Sequence, residues 1–120
     1  MNQVTVVDLR PVATGWTLNG VMGDVTHALG GSNRSFTGDH VGWDPVVTGQ
    51  AGVPAGANMG VVPGAAVDPM RPGLAVMQPL ASAPPGSGTG VAVVDARLTM
   101  VMPVWVASGD YHGTLTLTLI

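Results

Sequence analysis

The chain has 120 residues, 46% of them hydrophobic, and this length suits a single domain, residues 1–120, with its own core. It contains no cysteine, which excludes disulfides, a thiolate nucleophile and a Cys-based zinc site. The charged side chains are seven Asp and four Arg, so no basic stripe could neutralise several phosphates, and nucleic acid is not an expected partner. Lys and Glu are absent while Gly (18) and Pro (10) are abundant, a composition that favours strands and turns.

The first part of the chain contains four short runs typical of β-strands, each bounded by Gly, Pro, Asn or Asp. The charged and apolar regions of a secretory signal peptide are not found before these runs. The sequence therefore predicts a mature or excised domain, or a protein that is not secreted. The dipeptide Asn19-Gly20 fits either a hairpin turn or a bulge within one longer strand. The predicted strands are Val4–Leu9, Trp16–Val21, Ser35–Thr37 and Val46–Thr48.

The middle of the chain, residues 49–90, is rich in Gly and Pro but also carries many Val, Met and Leu side chains. These side chains supply enough apolar surface to hold the segment against a core, so we expect long loops and short strands wrapped over a sandwich. The longest uncharged stretch of the chain, Pro45 to Val67, is interrupted by several Gly and Pro residues. These residues break helices, so a membrane-spanning helix is not expected there. No membrane insertion is expected.

The last part shows the clearest periodicity. Apolar residues alternate from Ala92 to Pro103, and Thr alternates with Leu from Thr114 to Leu119, as in strands with one packed and one wet face. Pro103 should end the first strand or place it at an edge, and a turn is expected at residues 108–110. The sequence therefore predicts an all-β fold, an antiparallel β-sandwich with long Gly/Pro-rich loops, in which the terminal strands pair or lie near one another.

Catalytic and metal-binding patterns are not found in the sequence. The three His lack metal-ligand spacing, and no cofactor, metal or catalytic residue is predicted. Asp39 and Asp44 are the closest pair of carboxylates in an aromatic setting, but Asp in turn-rich sequence usually caps a turn. A hydrolase would need Asp39, His40 and Asp44 to converge in a cleft, and the sequence does not favour this.

Two groups of residues are candidates for binding. Trp43 has turn residues on both sides and could present an exposed indole on which sugar rings stack, although a Trp in a small sandwich more often fills the core. Thr114, Thr116 and Thr118 form a regular hydroxyl ladder that could dock a flat polymer or a neighbouring sheet edge, although Thr is also a common residue on a wet strand face.

Four motifs in order resemble the WxL family, whose members are surface domains of Gram-positive bacteria. The resemblance covers both ends of the chain but not the middle, and the composition resembles a divergent actinobacterial version. The matching segments are Val4-Thr5-Val6-Val7-Asp8-Leu9-Arg10, Gly15-Trp16-Thr17-Leu18-Asn19-Gly20, Val41-Gly42-Trp43-Asp44-Pro45 and the closing run from Tyr111 to Leu119.

The resemblance implies a non-enzymatic, extracellular domain at the cell surface that associates non-covalently with peptidoglycan or another cell-wall polymer. Where family members with two W-x-L motifs carry the second, this chain has Leu117-Thr118-Leu119, which implies weakened or lost wall attachment. The ligand-binding residues expected on this reading are Trp16, Leu18, Trp43, Asp44, Thr114, Thr116 and Thr118.

A second hypothesis is a structural subunit that assembles with itself, as a homo-oligomer, into a filament, surface lattice or decoration layer. Its basis is the low fraction of charged residues (9%), the seven Met and the strands that run nearly to both termini. All of these features suit buried contacts between subunits.

Overall fold

The structure is a computed structural model and describes residues 1–30, 34–51 and 60–120. Within these residues the regular structure is almost entirely β, which confirms the predicted all-β class. Short 3₁₀ turns occur at Gly38–His40 and Gly73–Ala75. The strands are β1 (Val4–Asp8), β2 (Trp16–Met22), β3 (Val25–His27), β4 (Ser35–Phe36), β5 (Val41–Ala51), β6 (Val62–Pro63), β7 (Gln78–Ala83), β8 (Gly90–Met100), β9 (Tyr111–His112) and β10 (Leu115–Leu119).

The strands form three antiparallel sheets. The first sheet has the order β1-β8-β5, the second has the order β10-β2-β7-β6, and a small third sheet has the order β4-β3-β9. β8 is central to the first sheet, because β5 pairs along its length while β1 covers only Gly90–Val94. The domain is elongated, with principal extents of 56 × 24 × 20 Å.

The core lies between the inner faces of the first two sheets. Burial alternates along β2 and along the first seven residues of β8, as period-two packing requires. The predicted sandwich is therefore observed, with two antiparallel sheets packed face to face. The largest fully buried side chains are Trp43, Leu74, Leu80, Val41 and Val94.

The dipeptide Asn19-Gly20 lies inside β2. The pairing of β2 with β7 shifts register between Leu18 and Asn19, so this dipeptide accompanies a bulge and does not form a hairpin turn. The dipeptide therefore lies within one longer strand, as the second alternative predicted, but the extra residue of the bulge is Leu80 on the neighbouring β7.

The observed strand β5 is longer than predicted, because it begins at Val41 and not at Val46. Gly42 and Pro45 resemble turn residues in the sequence, yet both lie within the strand. A Cβ built on Gly42 would lie 2.2 Å from the carbonyl oxygen of Val67, so glycine is needed because another segment approaches closely. That segment pairs with β5 through hydrogen bonds between Trp43 and Val67 at 2.8 and 2.9 Å.

The terminal strands do not pair with each other. β1 pairs with β8, and β10 pairs with β2, so the two strands are edges of different sheets. They nevertheless lie near one another, because the end of β1 and the last two residues of the chain border the same cavity. No helix among the described residues is both long and apolar enough to cross a membrane.

The short strands predicted for the middle segment are observed among the described residues. The segment contributes β6 and β7 to the second sheet, and Leu74 in its 3₁₀ turn is completely buried. Residues 52–59, including Val53 and Met59, lie outside the described residues.

Candidate binding surfaces

Trp16 and Leu18, the two defining residues of the W-x-L-like motif, both point into the core. They are only 5% and 4% exposed. Trp16 Nε1 donates a hydrogen bond to the carbonyl oxygen of Gly88 at 3.3 Å, which satisfies the indole without any ligand. In this fold the two side chains are therefore part of the packing between the sheets.

The prediction that Trp43 presents an exposed indole is wrong. Its side chain is 2% exposed, because β5 extends through Trp43 and directs it against β2. The indole Nε1 has no hydrogen-bond partner among the described residues. Sugar stacking on Trp43 would require the sandwich to open, so the core interpretation applies to this residue.

Asp44 follows Trp43 on β5 and therefore lies on the opposite face of the strand, with an exposed side chain. Its register partner on β8 is Arg97. Asp44 does not join Asp39 and His40, so the three side chains that a hydrolase would need do not converge.

Asp39 and His40 form a small polar cluster beside the first 3₁₀ turn. His40 Nδ1 lies 3.1 Å from Asp39 Oδ1, and the Thr37 hydroxyl donates to the same carboxylate oxygen. The Thr37 hydrogen bond, aided by the nearby His40, lowers the pKa of Asp39. Both partners bond to the carboxylate, so the cluster fixes a turn and does not activate a hydroxyl through the histidine. Among the described residues, no group of three His or Asp side chains could hold a metal ion.

The threonine ladder lies on β10, at the free edge of the second sheet. Thr114, Thr116 and Thr118 are all exposed, while Leu115 and Leu117 are half-buried against the core. The predicted division into a packed face and a wet face is therefore observed, and the hydroxyls are available to solvent.

A cavity of about 310 Å³ opens between the ends of β1 and β10. We call it the β1–β10 cavity. Most of its lining is apolar, and the polar exceptions are Asp8 and Arg10, which pair with each other. Its lining residues are Val6, Val7, Asp8, Leu9, Arg10, Trp16, Leu119 and Ile120.

Asp8 and Arg10 form the polar part of the wall of this cavity. Arg10 Nε and Nη2 donate to the two carboxylate oxygens at 2.8 and 2.7 Å, and Nη2 also donates to the carbonyl oxygen of Gly15 at 3.0 Å. These hydrogen bonds from Arg10 lower the pKa of Asp8 to about 2. Both side chains of the pair are therefore ionised, and their charges compensate each other.

A second apolar surface follows the end of β8. Leu98 and Met100 continue the inward-facing register of Ala96, yet they are 38% and 47% exposed because the core does not extend this far. Beyond them the chain turns, with Val106 N donating to the carbonyl oxygen of Pro103 at 3.2 Å. We call residues 98–105 the apolar arm.

The tip of the apolar arm consists of Val104 and Trp105, the two central residues of this turn. Val104 is fully exposed and Trp105 is 53% exposed. Central turn positions usually carry Gly, Asn, Asp or Ser, so a Val-Trp pair is unusual there. The general expectation that a Trp in a small sandwich fills the core does not hold for Trp105. The exposure of Trp105 could have been predicted from its position between Pro103, which was expected to end a strand, and the turn expected at residues 108–110.

Comparison with known proteins gives no match, whether to a family model, to a curated protein or to a solved structure. The resemblance to the WxL family stays a prediction that rests on the order of the four motifs.

Proposed function

We propose that this domain is a non-enzymatic structural subunit that associates with copies of itself. The observation that carries the proposal is the apolar arm, whose tip exposes Val104 and Trp105 to solvent. Contiguous exposed apolar surface of this kind marks interaction sites in soluble proteins. Full burial of one such side chain contributes about 1.5–3 kcal/mol, so the tip alone could contribute several kcal/mol to association.

The edge of β8 next to the arm supports the same proposal. β5 pairs with Arg97–Met100 on one side, whereas the pairing of β1 on the other side covers Gly90–Val94. Among the described residues, no strand covers the other side of Arg97–Met100. Natural edge strands are commonly protected by several charges or by bulges, and here Arg97 is the one charge in the stretch.

Sedimentation velocity over a wide range of protein concentrations tests the proposal. We expect the mean mass of the wild-type chain to rise with concentration, and the double variant Val104→Ser/Trp105→Ser to remain monomeric. The control is Val76→Ser/Met77→Ser, which removes two adjacent half-exposed apolar side chains (54% and 49%) elsewhere on the surface. It should associate like the wild type. A wild-type chain that is strictly monomeric at every concentration contradicts the proposal.

Association with a cell-wall polymer is a second candidate function, which would place the domain on the outer surface of a Gram-positive bacterium. The exposed hydroxyls of Thr114, Thr116 and Thr118 favour it, because they form a regular row on a free sheet edge. The motif resemblance described above also supports it. With so few charges in the chain, binding would rest on hydroxyl and backbone hydrogen bonds and not on ion pairs.

Co-sedimentation with purified peptidoglycan tests this second candidate. The intact domain should appear in the pellet, and the triple variant Thr114→Val/Thr116→Val/Thr118→Val should stay in the supernatant, because Val keeps the strand shape but removes the hydroxyls. Thr5→Val, at an exposed position on β1, is the matched control. Recovery of the wild-type domain entirely in the supernatant rules the candidate out.

A further inference from the structure

We infer that association is head to tail, with the Val104–Trp105 tip of one copy inserted into the β1–β10 cavity of the next. This inference rests on the proposed self-association and adds to it the two surfaces and the direction of assembly. Trp105 is the side chain that enters the cavity, and Val104 packs on its rim.

The two surfaces lie at opposite ends of the same strand. Asp8, at the cavity, pairs with Gly90 at the start of β8, whereas the apolar arm begins at the other end of β8. A strand of 11 residues spans roughly 33–37 Å, which is most of the length of this elongated domain. Val101 N donates to the carbonyl oxygen of His40, which holds the base of the tip at the far end. The tip is therefore too far from the cavity of its own copy to fill it, so tip-in-cavity docking joins two copies.

The chemistry of the cavity suits an indole. Its volume of about 310 Å³ is at the small end of the range for ligand pockets, where one large side chain can fill much of the space. The walls are mainly apolar, and the two polar side chains among the lining residues, Asp8 and Arg10, pair with each other. Arg10, which is 53% exposed at the rim, offers a planar guanidinium face on which an aromatic ring can stack.

The rim of the cavity is as apolar as the arm. Four exposed side chains surround it, namely Val7, Leu9, Leu119 and Ile120, with exposures of 55%, 76%, 53% and 76%. At about 100 Å² for each exposed or half-exposed apolar side chain, complete covering of the rim and the arm would bury at most on the order of 1,000 Å². Interfaces of this size lie at the lower limit for specific complexes, so association should depend on concentration.

A contact between two different surfaces can be repeated from copy to copy, whereas a symmetric contact ends at a dimer. Each copy keeps one free tip or one free cavity after docking, so the contact propagates into a ring or an open filament. A tip-to-tip contact would instead stop at a dimer.

Mixing two variants separates these arrangements. The tip variant is Val104→Ser/Trp105→Ser, which leaves the cavity intact, and the cavity variant is Leu9→Asp/Ile120→Asp, which places charge on the rim at two highly exposed positions. Circular dichroism and thermal unfolding of each variant alone establish that it folds. We expect each variant alone to be monomeric and an equimolar mixture to sediment at twice the monomer mass, because one intact tip then meets one intact cavity.

The outcomes distinguish this inference from the proposed function. If the wild type associates and the cavity variant still associates alone, self-association holds and tip-in-cavity docking is wrong. A mixture that remains monomeric while the wild type associates also overturns the inference. A wild type that never associates overturns both. Tryptophan fluorescence gives an independent readout, because Trp105 is exposed while Trp16 and Trp43 are buried. The summed emission of the mixture should therefore lie at shorter wavelength than the average of the two variants measured separately.

Discussion

Trp43 occupies the space that a side chain at position 20 would need on the facing sheet. A Cβ built on Gly20 would lie 2.4 Å from Cη2 of the Trp43 indole, well inside any real contact. Gly20 therefore serves the close approach of β2 and β5, so the bulge dipeptide and the buried tryptophan belong to one packing arrangement.

Replacement of Gly20 by alanine should destabilise the domain. The added methyl group forces Trp43 to move within a packed core, which costs about 1–3 kcal/mol. The matched control is Gly23→Ala, where the nearest atom to a new Cβ lies 3.8 Å away. Chemical denaturation should show a lower midpoint for Gly20→Ala and little change for Gly23→Ala; equal midpoints for the two variants would contradict the packing described here.

The two buried tryptophans should respond differently to replacement by phenylalanine. Trp16→Phe removes the hydrogen bond to Gly88, whereas Trp43→Phe removes an N–H that has no partner among the described residues. An unpaired buried donor costs about 1–3 kcal/mol, so its removal should offset part of the lost packing. We expect the free energy of unfolding to fall more for Trp16→Phe than for Trp43→Phe. The opposite order would mean that the Trp43 indole has a partner in solution.

The Asp8–Arg10 pair should make stability depend on pH in the acid range. The folded-state pKa of Asp8, about 2, lies below its ordinary value of 3.8, so the folded state favours the ionised carboxylate. Its contribution is therefore fully present above pH 3.8 and is lost as the pH falls toward 2. The difference in thermal midpoint between wild type and Asp8→Asn should be constant near neutral pH and shrink between pH 4 and pH 2. A difference that does not change with pH would show that the pair does not form.

His27 should be required for the third sheet. Leu29 N donates to His27 Nδ1 at 3.0 Å, so Nε2 carries the hydrogen that faces the carbonyl oxygen of Ser108 at 3.3 Å. His27→Phe breaks both contacts and should lower the free energy of unfolding by about 1–3 kcal/mol. His112→Phe, at an exposed position on β9, is the matched control. Urea titration of both variants provides the comparison, and an equal loss for both would argue against the role of His27.

The regular alternation at the ends of the chain was sufficient to predict the fold class. Period-two patterns identified β1, β2, β8 and β10, because each strand packs one face on the core. Glycines at close approaches could not be distinguished from turn glycines. Gly42 is a strand residue that faces Val67, and Gly109 leaves room for His27 next to the predicted turn, since a Cβ there would lie 2.0 Å from Nε2.

The binding surfaces were harder to predict, because exposure depends on neighbours that are distant in sequence. Trp43 is buried since β2 lies opposite it, and Trp105 is exposed since the core ends before the apolar arm. The neighbours in sequence suggested the opposite, because Gly42 and Asp44 flank the buried Trp43 whereas Val104 and Val106 flank the exposed Trp105. The threonine ladder was simpler, because alternation alone assigns its face.

The antiparallel pairing of β1 with β8 also determines how the domain would bear tension. Asp8 ends β1 opposite Gly90 at one end of this ladder, and Met100 ends β8 beyond the other end, where Val4 pairs with Val94. A pull applied at these two points would run along the strands, at right angles to their hydrogen bonds. All the bonds between the strands would then share the load at once and would not open one after another, so this geometry gives mechanical strength along the long direction of the molecule.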